Sequence, residues 1–120
     1  MTAKKIVQDF YKSDAIINPE IFRAYLHPEA IVEWHSSKGL LVLNHQEILD
    51  FTSNMSKAYT RSKVRIAHIL QEGSTVSVRY EHFVKTIENP REEMLLAHFF
   101  AIWEIKDNLL FRGFQMSQLA

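Results

Sequence analysis

Residues 64 to 118 constrain the fold more than any other part of the chain. They read as four long strands, Val64 to Gln71, Thr75 to Ile87, Met94 to Lys106 and Leu109 to Gln118. The turn signals Glu72-Gly73-Ser74, Asn89-Pro90-Arg91 and Asp107-Asn108 separate them. Long strands joined by short connections pair as an antiparallel meander. Such a sheet must bury at least one face, and the helical half that precedes residue 64 supplies the cover. The expectation is one curved sheet with helices on one side, a shape that encloses a pocket.

The helices are marked by spacing and by caps. Ile6, Val7, Phe10 and Tyr11 recur at helical intervals, which predicts a short amphipathic helix over residues 3–12. Asn18-Pro19-Glu20 combines an N-cap, a proline at the first helical position and an acid in the first turn. This predicts a second helix over 19–26, ended by Pro28. A hairpin of Ala30 to Ser36 and Gly39 to Leu43 follows, turning at Ser37-Lys38. Asn44 with Glu47 three positions later is a capping-box pattern, and Ile48, Leu49, Phe51, Thr52, Met55 and Tyr59 share one helical face. A third helix is expected over about 45–60. No linker, repeat or low-complexity tract interrupts this order, so residues 1–120 read as a single domain.

Composition narrows the function classes. Fourteen Asp and Glu balance fourteen Lys and Arg, so no net positive field gathers phosphates and nucleic acid is not an expected partner. The absence of cysteine excludes disulfides, thiolate metal sites and cysteine nucleophiles. Met1 to Tyr11 lacks an apolar stretch of signal-peptide length, and no apolar run approaches the roughly 20 residues of a membrane helix. A cytoplasmic protein without a membrane partner is expected.

The order helix, helix, strand, strand, helix and four-strand meander comes with short motifs at its joints. His27-Pro28-Glu29-Ala30-Ile31-Val32 opens the first strand, and Asn44-His45-Gln46-Glu47-Ile48 opens the third helix. Ile105-Lys106-Asp107-Asn108-Leu109-Leu110-Phe111-Arg112 forms the last hairpin. Over nearly its whole length the chain resembles the nuclear transport factor 2-like (NTF2-like) superfamily, and within it the SnoaL-like branch. The resemblance implies an α+β fold: three N-terminal helices packed on a strongly curved, mixed, mainly antiparallel sheet of about six strands, shaped as a cone around a pocket. It also implies a homodimer. Members range from isomerases, cyclases and hydrolases to non-catalytic binding proteins, so fold does not choose among these functions. Catalytic relatives carry an acid near the end of the last strand where this chain has Gln118, and an amide cannot act as a general base. Asn108 replaces a turn glycine, a neutral change because asparagine tolerates positive φ.

Alternation sorts the strand residues onto two faces. With Asp107-Asn108 as a two-residue turn, Trp103 faces Arg112 and Phe99 faces Met116. One face then carries Phe99, Trp103, Arg112, Phe114, Met116 and Gln118, joined by Arg79, Glu81 and Phe83 of the preceding strand. With Trp34, these are the expected ligand-binding residues. The other face carries Tyr80, His82, His98, Phe100 and Ile102, the expected dimer interface, because an apolar sheet face not covered by its own helices needs a second subunit. A one-residue slip in register would exchange the two sets.

The charges on the first face admit two readings. Arg79 and Arg112 fit a fork for a ligand carboxylate and Glu81 a general base, or the three form an ion-pair network bracing the sheet. The six histidines lack HxH or HExxH spacing, so neither a metal nor another cofactor is expected. Trp34 stands either at the pocket mouth or packed on the N-terminal helices. Taken together, the chain reads as a homodimer binding a small apolar molecule with a polar end. One alternative is a cofactor-independent isomerase, cyclase or hydrolase acting on a small apolar or polyketide-like substrate. A second is a protein-binding module.

Overall fold

A computed structural model describes residues 2–120. Helix α1 spans Ala3–Lys12, with Thr2 accepting the Lys5 N–H as its cap and Ile6, Val7, Phe10 and Tyr11 on its buried face. A 3-10 turn at Ala15–Ile17, unmarked in the sequence, leads to α2, Pro19–Tyr25, which Asn18 caps through Glu20 N–H and Ile21 N–H. Strand β1 follows without a loop, Leu26–Ser36, so Pro28 lies within the irregular first part of a strand rather than ending the helix. Strand β2, Gly39–Asn44, closes the hairpin. Helix α3, His45–Ala58, begins with both halves of the capping box, Glu47 N–H to Asn44 Oδ1 at 2.9 Å and Asn44 N–H to Glu47 Oε1 at 3.1 Å.

The remaining strands are β3, Tyr59–Glu72, β4, Thr75–Thr86, β5, Met94–Lys106, and β6, Leu109–Leu119. Strand β3 begins five residues before its expected start, because the helix stops at Ala58 and the chain extends at once. All six strands form one mixed sheet in the order β2-β1-β6-β5-β4-β3, in which only the β1–β6 pair is parallel. The architecture is α+β, three α-helices on an open six-stranded sheet.

Two bulges decide which side chains point where. In the last hairpin Asp107 and Asn108 both take positive φ, 55° and 61°, as the two-residue turn requires. Pairing then runs Ile105↔Leu110 but Glu104↔Arg112, leaving Phe111 as an extra residue on β6. In the β4–β5 hairpin the pairing runs Val84↔Met94 and Phe83↔Leu95 but His82↔Ala97, leaving Leu96 extra on β5. Each bulge reverses the facing of everything beyond it relative to a regular hairpin.

As a result, Val76, Val78, Tyr80 and His82 of β4 share the inner face with Ala97, Phe99, Ala101 and Trp103 of β5, and all eight are buried. Helices lie over this face. The Phe10 ring of α1 meets Trp103 edge-on at 6.1 Å, and Phe51 of α3 meets Trp34 edge-on at 5.1 Å. The indole of Trp103 lies flat on β6 at Gly113, where a Cβ would come within 2.5 Å of the ring. The opposite face carries Arg79, Glu81, His98, Phe100, Ile102, Phe114, Met116 and Gln118, and no helix covers Phe100, Ile102, Phe114 or Met116.

Candidate functional site

Between the helices and the inner face lies a cavity of about 460 Å³. The pairing register orders its walls from one end of the sheet to the other. At the inner end Trp103, Tyr11 and Phe10 close it; Trp103 Nε1–H donates to the Tyr11 hydroxyl at 2.8 Å. In the middle row Ser117, Phe99 and Tyr80 stand side by side, and the Tyr80 and Phe99 rings stack in parallel at 4.9 Å. Trp34 reaches the same level from β1, its Nε1–H donating to Ser117 Oγ at 2.8 Å. The outer row is Leu119, Ala97 and His82, and the β1–β2 hairpin tip with Ser37 and Lys38 borders the opening.

The electrostatics of this space are those of a nearly uncharged chamber. Burial pushes the Tyr11 hydroxyl up to about 12, partly offset by the Trp103 N–H, and holds Tyr80 well above the ordinary tyrosine value, with neighbouring Tyr11 adding to the rise. Both phenols stay protonated. Burial drives His82 the other way, down to about 4, so its imidazole is neutral at physiological pH. His82 Nε2 lies 2.7 Å from Ser62 Oγ of β3. No Asp or Glu is among the residues that line the cavity, and Lys38 is its one formal charge.

The expected ligand-binding residues divide between the two faces. Trp34, Phe99 and Trp103 line the cavity. Arg79, Glu81, Phe83, Arg112, Phe114, Met116 and Gln118 do not, because the Leu96 and Phe111 bulges turn them to the far side. Glu81, the candidate base, pairs there with Arg65 at 2.6 Å instead of meeting a ligand. Arg79 lies over the Phe100 ring at 5.8 Å. Arg112 covers the Phe111 ring at 3.9 Å and donates to the Glu29 carbonyl at 2.7 Å. Of the expected interface residues, His98, Phe100 and Ile102 are on the outer face, whereas Tyr80 and His82 are inside. Of the strand histidines, His68 and His98 are on the outer face and His82 is inside, so strand pairing does not bring the three together. Phe51, Tyr59, Gln115 and Ser117 also line the walls and are not among the expected binding residues.

No protein-family model and no curated protein sequence matches the chain. Solved structures do match. A candidate SnoaL-like polyketide cyclase from Jannaschia sp. CCS1 superposes with a TM-score of 0.72 at 10% identity, over 96% of this chain and 84% of that one. BvnE pinacolase from Penicillium brevicompactum gives 0.75 at 9% identity, over 96% and 82%. An NTF2-like protein of unknown function from Burkholderia pseudomallei K96243 gives 0.68 at 14% identity, over 96% and 90%. Identities this low make the likeness one of architecture: the chain has the NTF2-like α+β fold, in the form shared with SnoaL-like and ketosteroid isomerase-like proteins.

Proposed function

We propose that the chain binds a small, largely apolar molecule with a polar end inside a cone-shaped NTF2-like domain, without a cofactor. The observation that supports this most is the cavity itself. Its own aromatic side chains leave about 460 Å³ open, within the range of small-molecule sites, and its polar groups are few and uncharged apart from Lys38. A protein-binding module would gain nothing from a core left open in this way, since an unfilled apolar space costs stability.

The cavity tryptophans supply the test. Trp34 stands half-buried in the middle of the wall, while Trp103 is sealed between Tyr11 and Gly113. Small ring compounds such as indane or tetralone should change tryptophan emission, and Trp34→Phe should remove most of that change while Trp103→Phe retains it. Absence of any response, together with no small molecule released on denaturing the purified protein in solvent, would sink the binding reading.

An isomerase or cyclase is the second reading. The similar structures include a candidate polyketide cyclase and a pinacolase, and the inner wall holds one imidazole. In that reading Glu81 is replaced as proton acceptor by His82, because only His82 faces the cavity. We further propose that the chain pairs with a second copy through its outer sheet face, on the strength of the apolar side chains left uncovered there.

A further inference from the structure

We propose that His82 and Ser62 form a neutral polar anchor in the cavity wall that selects ligands bearing an uncharged hydroxyl or carbonyl group, with His82 Nδ1 taking the ligand's hydrogen bond. This rests on the small-molecule-binding reading and adds to it the chemistry of the ligand's polar end. Three observations carry it. His82 is only 2% exposed and stands in the cavity wall. Its Nε2 is engaged by Ser62 Oγ at 2.7 Å, whereas Nδ1 has no hydrogen-bond partner among the described residues. No side-chain nitrogen or oxygen among those residues is both sealed and unpaired, so Nδ1 keeps some open surface, and the open space that His82 lines is the cavity.

The Ser62 hydroxyl makes the anchor two-way. When Nε2–H donates to Ser62 Oγ, Nδ1 presents a lone pair and accepts from a ligand hydroxyl. When Ser62 Oγ–H rotates to donate to Nε2, Nδ1 carries the proton and donates to a ligand carbonyl. Burial keeps the ring uncharged in either tautomer. A carboxylate gains no opposite charge from a neutral imidazole and has to shed its water, and an unsubstituted hydrocarbon leaves Nδ1 without the water it loses. Ligands with one neutral oxygen function avoid both penalties.

Equilibrium dialysis of naphthalene, 2-naphthol and 2-naphthoate against the wild-type protein, His82→Phe and Ser62→Ala at neutral pH tests the anchor. The wild type should hold 2-naphthol roughly tenfold more tightly than the other two, the worth of one well-made hydrogen bond. In His82→Phe that preference should fall to about twofold with naphthalene binding retained, and Ser62→Ala should lie between. Equal affinity for all three probes in the wild type overturns the anchor and leaves the binding reading standing. Preference for 2-naphthoate also overturns it, transferring recognition to Lys38. Failure to bind any probe overturns both. If His82→Phe does not fold, nitrogen NMR of labelled histidine decides: 2-naphthol should shift the His82 Nδ1 signal and naphthalene should not, and an unmoved signal overturns the anchor.

Discussion

His82 occupies a position where its strand otherwise places Val76, Val78, Tyr80 and Val84, all buried. A histidine in such a row makes folding sensitive to acid. Its pKa falls from 6.5 to about 4 in the folded protein, because burial disfavours the charged form. Between these values the unfolded chain binds a proton that the folded chain refuses, so stability falls as pH drops through that window and this contribution is level outside it. The loss is on the order of 2–3 kcal/mol. Urea unfolding at about pH 7 and about pH 4.5 should show His82→Phe losing less stability on acidification than the wild type by roughly that amount. An identical loss in both proteins would mean that His82 is not buried as described. The same row shows how much of the site was legible. Strand β4 alternates apolar Val76, Val78, Tyr80 and Val84 against Ser77, Arg79, Glu81 and Lys85, a pattern that by itself turns the polar set outward. Placing Arg79 and Glu81 in the pocket set this local signal aside in favour of a register assumed across the 87–93 loop.

At the level of elements, caps and turns were readable because they are local. Asn44 with Glu47, Asn18 with Pro19, and Asp107-Asn108 each fix a boundary through contacts within a few residues. The bulges were not readable. Phe111 looks like any strand aromatic, and the contact that marks it out is tertiary: the His27 ring edge-on at 4.8 Å, on a ring that neighbouring Arg112 at 3.9 Å and Lys106 at 4.8 Å also cover. Without that extra residue, Arg112 would lie opposite Trp103. With it, Gly113 does, and the indole fills the space that a side chain on β6 would take. Gly113 is therefore a packing requirement rather than a turn residue. Gly113→Ala sets a methyl against three ring atoms of Trp103 at 2.5 to 3.0 Å, and backbone on one side with Tyr11 on the other leaves the indole little room to retreat. The expected cost is about 1–3 kcal/mol in urea unfolding, with a shift in tryptophan emission as the ring is displaced. Full wild-type stability would show that the indole does not rest on β6.

Taken whole, the molecule has one face of its sheet enclosed and the other bare. Across the bare face the pairing register lines up Leu40, His35, Met116, Phe100, Arg79 and His68 in one row, and Val42, Glu33, Phe114, Ile102, Ser77 and Leu70 in the next. Phe100 is 65% and Met116 64% exposed, side by side at the centre of the sheet. Helices are absent from this side because α1 and α3 both lie on the inner one, where Trp103 and Trp34 receive them. A second copy placed on the same face would cover its own apolar rows with these, as a two-fold contact does. Tyr80 and His82 take no part in such a contact; Phe100, Ile102, Phe114 and Met116 form its centre, and the Arg65–Glu81 pair lies on the same face. Sedimentation equilibrium at micromolar concentration should give a dimer, and Phe100→Asp, by forcing a carboxylate into the desolvated centre, should weaken it by about a hundredfold or more. Because Phe100 points away from the cavity, the same variant should keep its response to apolar ring compounds through Trp34. A wild-type protein that sediments only as a monomer would remove the dimer. A Phe100→Asp dimer as tight as the wild type would place the contact on some other surface.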